Sequence, residues 1–197
     1  MSSPPSPLLA DRFAPRSDFG RLDHLVVEAD PASTYKALHS LDLTDLHGFL
    51  VNAAMGLRAL PERWREDRPP RHRTRLTLQD LDAGTDWVVL GEDPGHEIAF
   101  GAVGQFWRPV VKWAHVEARD FADFAEPGYA KVVCSLSTSA YGQRRTLVTA
   151  EVRVVLTDPR AWLSFRRYWR ISTPFVGVIS RAVLRTVRRS AEAGGVR

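Results

Sequence analysis

The sequence predicts an α+β protein in which a curved antiparallel sheet carries one long helix across its mouth. Three observations predict it. A short β run is followed by two helix-start signals, Asp30-Pro31 and Thr44-Asp45. Period-two alternation then dominates from Arg75 to Leu156, and one helical spacing closes the chain from Thr157 to Glu192. Helices segregated from an antiparallel meander give this class, because each element must bury one face against another layer.

Leu25, Val26 and Val27 give residues 22–28 strand character. Asp30 is an N-cap and Pro31 suits a first helical turn, so a helix runs from Pro31 to about Ser40 and buries Tyr35 and Leu38. Thr44-Asp45 opens a second helix through Leu46, Phe49, Leu50, Ala53 and Leu57. Residues 61–75 are rich in proline and arginine and read as a loop. Interspersed Glu62, Glu66 and Asp67 argue against a phosphate-binding patch there.

Leu76 and Leu78 begin the alternating region, and Trp87-Val88-Val89-Leu90 is a β run. Asp93-Pro94-Gly95 has the residues of a type II turn. Ile98, Phe100, Ala102 and Phe106 then alternate with Glu97, Ala99, Gly101 and Gln105, which predicts a hairpin with one apolar face. Residues 107–118 are interrupted by Pro109, Lys112 and His115; residues 120–124 read as a helical turn and Pro127-Gly128 as another turn. Tyr129–Ser139 and Arg144–Leu156 are two strands joined at Tyr141-Gly142-Gln143. The last strand runs into Asp158-Pro159, a second cap, and Gly194-Gly195 stops the helix. Trp162, Phe165, Trp169, Ser172, Val176, Ile179, Val183 and Val187 form its apolar face. A straight helix of this length would span on the order of 50 Å, and Pro174 predicts a kink in it.

At 197 residues, 44 % of them hydrophobic and 25 % charged, the composition is that of one globular domain. No apolar run reaches the roughly 18 residues of a membrane span. Residues 1–20 are Ser- and Pro-rich and read as a flexible leader, with the domain at 21–194. The lone Cys134 and the absence of a signal core predict a cytoplasmic protein, with Cys134 a small buried hydrophobe. Residues 158–197 carry nine arginines against Asp158 and Glu192, a count of +7, which leaves −3 for the rest of a chain whose net charge is +4. That asymmetry reads as a solvated helix face, or as a surface for anionic membrane or an acidic partner through Arg181, Arg185, Arg188 and Arg189. No nucleic-acid partner is expected.

Several blocks resemble the START-like (SRPBCC) superfamily, in a bacterial, actinobacterial-type branch. They are Thr149–Val154, Phe165–Trp169 and Thr173–Arg181, with Gly104–Arg108 and Glu126–Lys131 beside them. The resemblance covers about residues 22–192. It implies a helix-grip fold, with about seven antiparallel strands around the C-terminal helix and a hydrophobic cavity between them. The superfamily includes lipid and sterol carriers, polyketide cyclases and aromatases, receptors and co-chaperones. The resemblance supplies no catalytic signature to carry over.

Scattered histidines and a single cysteine give no metal spacing, and no Gly-rich loop follows a strand, so neither metal nor cofactor is expected. His115, near Trp113, is the best single acid/base candidate, because an imidazole titrates near neutrality; it also suits a structural hydrogen bond. Glu151 and Arg153 share one face of the last strand. They form an outer charge pair if Ala150, Val152 and Val154 face the core, or a polar anchor in the cavity if the strand turns them inward. Phe106, Trp107, Trp113, Tyr168, Trp169, Ser172 and Phe175 are the candidate ligand-binding residues. The leading expectation is a binder of a small hydrophobic molecule, lipid-like, aromatic or polyketide-like. A cyclase or aromatase using the same cavity, with His115 or Glu151 as acid/base, is the alternative. The sequence leaves the oligomeric state open.

Overall fold

The computed structural model describes residues 8–41 and 86–194. Helix α1 (Leu9–Phe13) precedes strand β1 (Phe19–Val27) and helix α2 (Pro31–His39). Strands β2 (Trp87–Asp93), β3 (Glu97–Gly104) and β4 (Trp113–Ala114), the single turn of helix α3 (Ala118–Phe121), and strands β5 (Ala130–Ala140) and β6 (Thr146–Leu156) follow. Helix α4 (Pro159–Gly194) ends the described chain. The sheet is antiparallel in the order β1-β6-β5-β3-β2, with β4 on β3. It carries six strands among the described residues and grips α4, so the architecture is the α+β helix-grip arrangement. The helix expected over 44–57, the loop at 61–75 and the strand begun by Leu76 lie outside the described residues.

Both Asp-Pro signals start helices. Asp30 Oδ1 accepts the Ser33 N–H at 3.0 Å, which holds its carboxyl below the usual range. At the head of α4, Asp158 Oδ1 accepts from Arg160 N at 2.7 Å and Ala161 N at 3.0 Å, while Oδ2 accepts from Gly128 N in the turn before β5. The Thr157 hydroxyl bonds both the N–H and the C=O of Tyr129 at 3.0 Å. The end of β6, the start of β5 and the first turn of α4 are thus one hydrogen-bonded joint. The hairpin turn also forms as expected: Gly95 sits at φ +87° and His96 N donates to Asp93 O at 2.9 Å.

Helix α4 is 36 residues long, about 54 Å at 1.5 Å per residue. It runs uninterrupted through Pro174, which has no N–H for the Arg170 carbonyl. Just before it, the Ser172 and Thr173 hydroxyls donate to Trp169 O at 3.4 and 2.6 Å. Ile179, Val183, Leu184, Val187 and Ala191 pack with α2 and the inner sheet face, on Val27, Ile98, Leu136, Val148 and Ala150. Each large side chain buried there contributes roughly 1.5–3 kcal/mol.

Two expectations need correction. The leader was expected over residues 1–20, yet within it Ala10, Phe13 and Ala14 are buried and β1 begins at Phe19. Helix α1 is held at both ends by sheet side chains. Glu97 accepts from Leu9 N at 2.6 Å and Ala10 N at 3.4 Å; Arg153 donates to Asp11 Oδ1 at 2.7 Å and to Ala14 O at 3.0 Å. Ser/Pro composition signalled disorder, but these long-range contacts decided the outcome. The β2–β3 hairpin was expected to have one apolar face, whereas β3 is buried along its whole length. Its second face lies under α1 and α3. Gly101 makes this possible, since a Cβ there would stand 2.7 Å from Phe121 Cζ. Lys131 closes the end of α3 by donating to Ala122 O at 2.7 Å, and burial lowers its ammonium pKa.

The Asp158 joint predicts a pH-dependent stability. The Ala161, Gly128 and Arg160 N–H groups hold the carboxyl below its ordinary value of 3.8. Its contribution is complete above that value and fades as pH falls through the lower folded value. Asp158→Ala is expected to lower Tm most at neutral pH. Thermal melts from pH 7 into acid should show the gap to the native protein narrowing.

Candidate functional site

Strand alternation decides which side chains face α4. Ala150, Val152 and Val154 of β6 face inward, opposite Asp23, Arg21 and Phe19 of β1. At the N-terminal half of α4 this seam is aromatic. Phe165 is buried, with Phe19 at 5.4 Å, Tyr168 at 5.5 Å, Trp169 at 5.8 Å and Trp107 at 6.1 Å between ring centroids. Trp162 stacks on Phe19 at 5.6 Å, and Trp113 meets Phe106 edge-on at 5.4 Å. Apart from Phe165 these rings are only half-buried, so the cluster presents aromatic surface at the seam.

The middle of the seam is polar. Arg21 Nε and Nη2 donate to Asp23 Oδ2 at 2.6 Å and Oδ1 at 2.9 Å, a bidentate pair with side chains 24 % and 14 % exposed. The guanidinium lies against the long helix at Gly177, where a Cβ would stand 2.3 Å from Arg21 Cζ. Ser172 and Ser180 are buried on the same helix, on either side of Gly177. An aromatic cluster, a charged band and an aliphatic cluster therefore follow one another along α4.

Of the predicted ligand-binding residues, Phe106, Trp107, Trp113, Tyr168 and Trp169 meet in the aromatic cluster, and Ser172 is buried on the inner side of α4. Phe175 is 41 % exposed and lies outside the cluster, because Val176 and Gly177 turn toward the sheet at that level. His115 stands outside it too: its side chain is 81 % exposed and its nearest acid is Asp86 at 3.8 Å. Glu151 takes the outer-face reading. It binds Arg153 through both oxygens at 2.7 and 3.2 Å, in the assembly that anchors α1. Burial pushes the Cys134 thiol up to about 12, so it stays protonated.

Sequence reasoning missed Phe19, Arg21 and Asp23. Their signal was the inward phase of β1, Phe19-x-Arg21-x-Asp23-x-Leu25-x-Val27, which is visible only once the strand is started at residue 19. Among the described residues no three His, Cys, Asp or Glu side chains gather to hold a metal ion, and no helix is long and apolar enough to cross a membrane.

No family model matches the chain, and no curated protein matches it. Among solved structures, CalU16 from Micromonospora echinospora is 13 % identical with a TM-score of 0.30, over 88 % of this chain and 84 % of that one. The di-domain ARO/CYC BexL from the BE-7585A biosynthetic pathway is 12 % identical with a TM-score of 0.37, over 88 % of this chain and 50 % of its own. TTHA0849 from Thermus thermophilus is 10 % identical with a TM-score of 0.31, over 89 % and 98 %. At these values the likenesses say nothing about activity, and the fold description rests on the topology given above.

The Arg21–Gly177 contact yields a test of the seam. Gly→Ala inside a helix ordinarily stabilises by roughly 1 kcal/mol. Here the new methyl meets the guanidinium that Asp23 holds. Gly177→Ala is expected to lower stability in the native background and to raise it by about 1 kcal/mol in Arg21→Ala. Urea denaturation of the four proteins of this cycle measures the coupling.

Proposed function

We propose that residues 8–194 act as one START-like ligand-binding domain that takes a small hydrophobic molecule into the seam between the sheet and the C-terminal helix. The observation that carries this reading is the half-buried aromatic cluster lying beside the Arg21–Asp23 pair in the same seam. A core built only for stability gains nothing from a charged pair set between two apolar clusters, since such pairs are worth little or cost desolvation. A ligand with an apolar body and a polar oxygen uses both parts. Its rings or chain stack on Trp107, Tyr168 and Trp169, and the oxygen accepts from the outer N–H groups of Arg21.

The cyclase alternative has less support. It relied on His115 or Glu151 as acid/base, and these lie in solvent and on the outer face. No group in the seam is assigned a chemical step, so the reading is one of binding.

Native mass spectrometry of the purified protein, with extraction of anything bound, tests the proposal directly. A defined small-molecule adduct is expected. Trp169→Ala should weaken uptake of an aromatic probe such as anilinonaphthalene sulfonate about tenfold, the equivalent of ~1.4 kcal/mol, with an unchanged far-UV spectrum. Full probe affinity in both Trp169→Ala and Arg21→Leu would sink the seam as the binding site.

A further inference from the structure

We propose that the outward face of helix α4 docks the protein on an anionic phospholipid surface. The proposal rests on different residues from the seam and stands apart from the binding reading. Leu163, Ile171, Phe175 and Val178 are 60 %, 58 %, 41 % and 52 % exposed, half of the exposed large hydrophobics among the described residues, and all lie on this one helix. Scattered single apolar residues are ordinary on a surface, but a line of four along one helix needs a cover.

The charges between them say what that cover is. Arg167, Arg170, Arg181 and Arg185 are exposed along the same helix, and Glu192 is the only acid within α4. Among the described residues no carboxylate lies within ion-pair distance of any α4 arginine. Arg181 Nε instead donates to its own helix at Gly177 O, at 2.9 Å. A depression of about 470 Å³ opens beside Leu163, between Arg166, Arg167 and Arg170. Unpaired cations interleaved with exposed aliphatic side chains fit the boundary between headgroups and acyl chains. The apolar groups enter the boundary, and the arginine stems lie along it with their guanidinium heads on phosphates. RNA would use the same cations, but it would leave Leu163, Ile171 and Val178 without a role, because its other contacts are stacking ones.

Vesicle flotation of the full chain tests this, with phosphatidylcholine vesicles compared with vesicles that also contain phosphatidylglycerol. Flotation only with the anionic vesicles, weakening as salt rises, is expected. Replacing Arg167, Arg181 and Arg185 with Gln should lower partitioning on the order of 100-fold, since each cation near an anionic leaflet is worth roughly fivefold. Ile171→Gln with Val178→Gln should lower it roughly tenfold while leaving the far-UV spectrum unchanged, because both side chains are exposed. Equal recovery on neutral vesicles, or none on anionic vesicles at low salt, overturns the proposal. So does an apolar double variant that floats like the native protein while single-stranded RNA competes, since that result marks a plain polyanion site.

Discussion

The structure depends on where the long helix is launched, and one carboxylate sets that. Asp158 accepts from two N–H groups of the first turn of α4 and from Gly128 before β5, while Thr157 ties the same point to Tyr129. A helix of 36 residues amplifies any error at its base, so a base fixed to two strands aims the whole element over the sheet. With that direction set, Phe165 falls among the aromatic rings, Gly177 falls against Arg21, and Val183 and Val187 fall against the aliphatic cluster.

The same constraint explains the outer face. A sheet whose inner side is occupied by α4 still exposes Ala99, Val103, Val133 and Val155 on its other side. The chain covers them with its own N-terminus and with α3. A five-residue helix cannot be stable alone, because nucleation is costly and each end leaves backbone groups unpaired. Glu97 supplies acceptors at the N-terminus of α1 and Arg153 a donor at its C-terminus, each with the sign that the helix end requires. Glu151 serves this assembly by holding Arg153, which is a sufficient physical reason for a charged pair on that strand.

Much of this was legible in the sequence wherever the signal was local. Asp30-Pro31, Asp158-Pro159 and Asp93-Pro94-Gly95 each formed the cap or turn that their residue types require. Strands β5 and β6 formed where their alternation placed them. What could not be read depended on partners far along the chain. Helix α1 is anchored by residues 87, 88 and 142 positions away, and neither its composition nor its length announces it. Strand β3 misled because Ala99, Gly101 and Val103 are small enough to pass for an indifferent face; Phe121 makes that face a core. Tyr168 and Trp169 joined Phe165 because aromatic spacing on α4 is a local property, whereas Phe106, Trp107 and Trp113 reach the same cluster from the segment that follows β3. Arg21 and Asp23 did not stand out, because their significance comes from the helix that crosses them.

Gly177 joins the two sides of that helix. On its inner side the missing side chain lets the Arg21 guanidinium reach the backbone. Its carbonyl meanwhile accepts from Arg181, which belongs to the cationic face. One residue without a side chain therefore lies between a charge held for the seam and a charge held toward solvent. Pro174, three residues earlier, leaves the carbonyl of Arg170 without its usual donor, while the Ser172 and Thr173 hydroxyls donate to Trp169 O one turn before it. Seam and outer face are in this sense two surfaces of a single element, related by the geometry around residues 170–181 and not by any contact through the sheet.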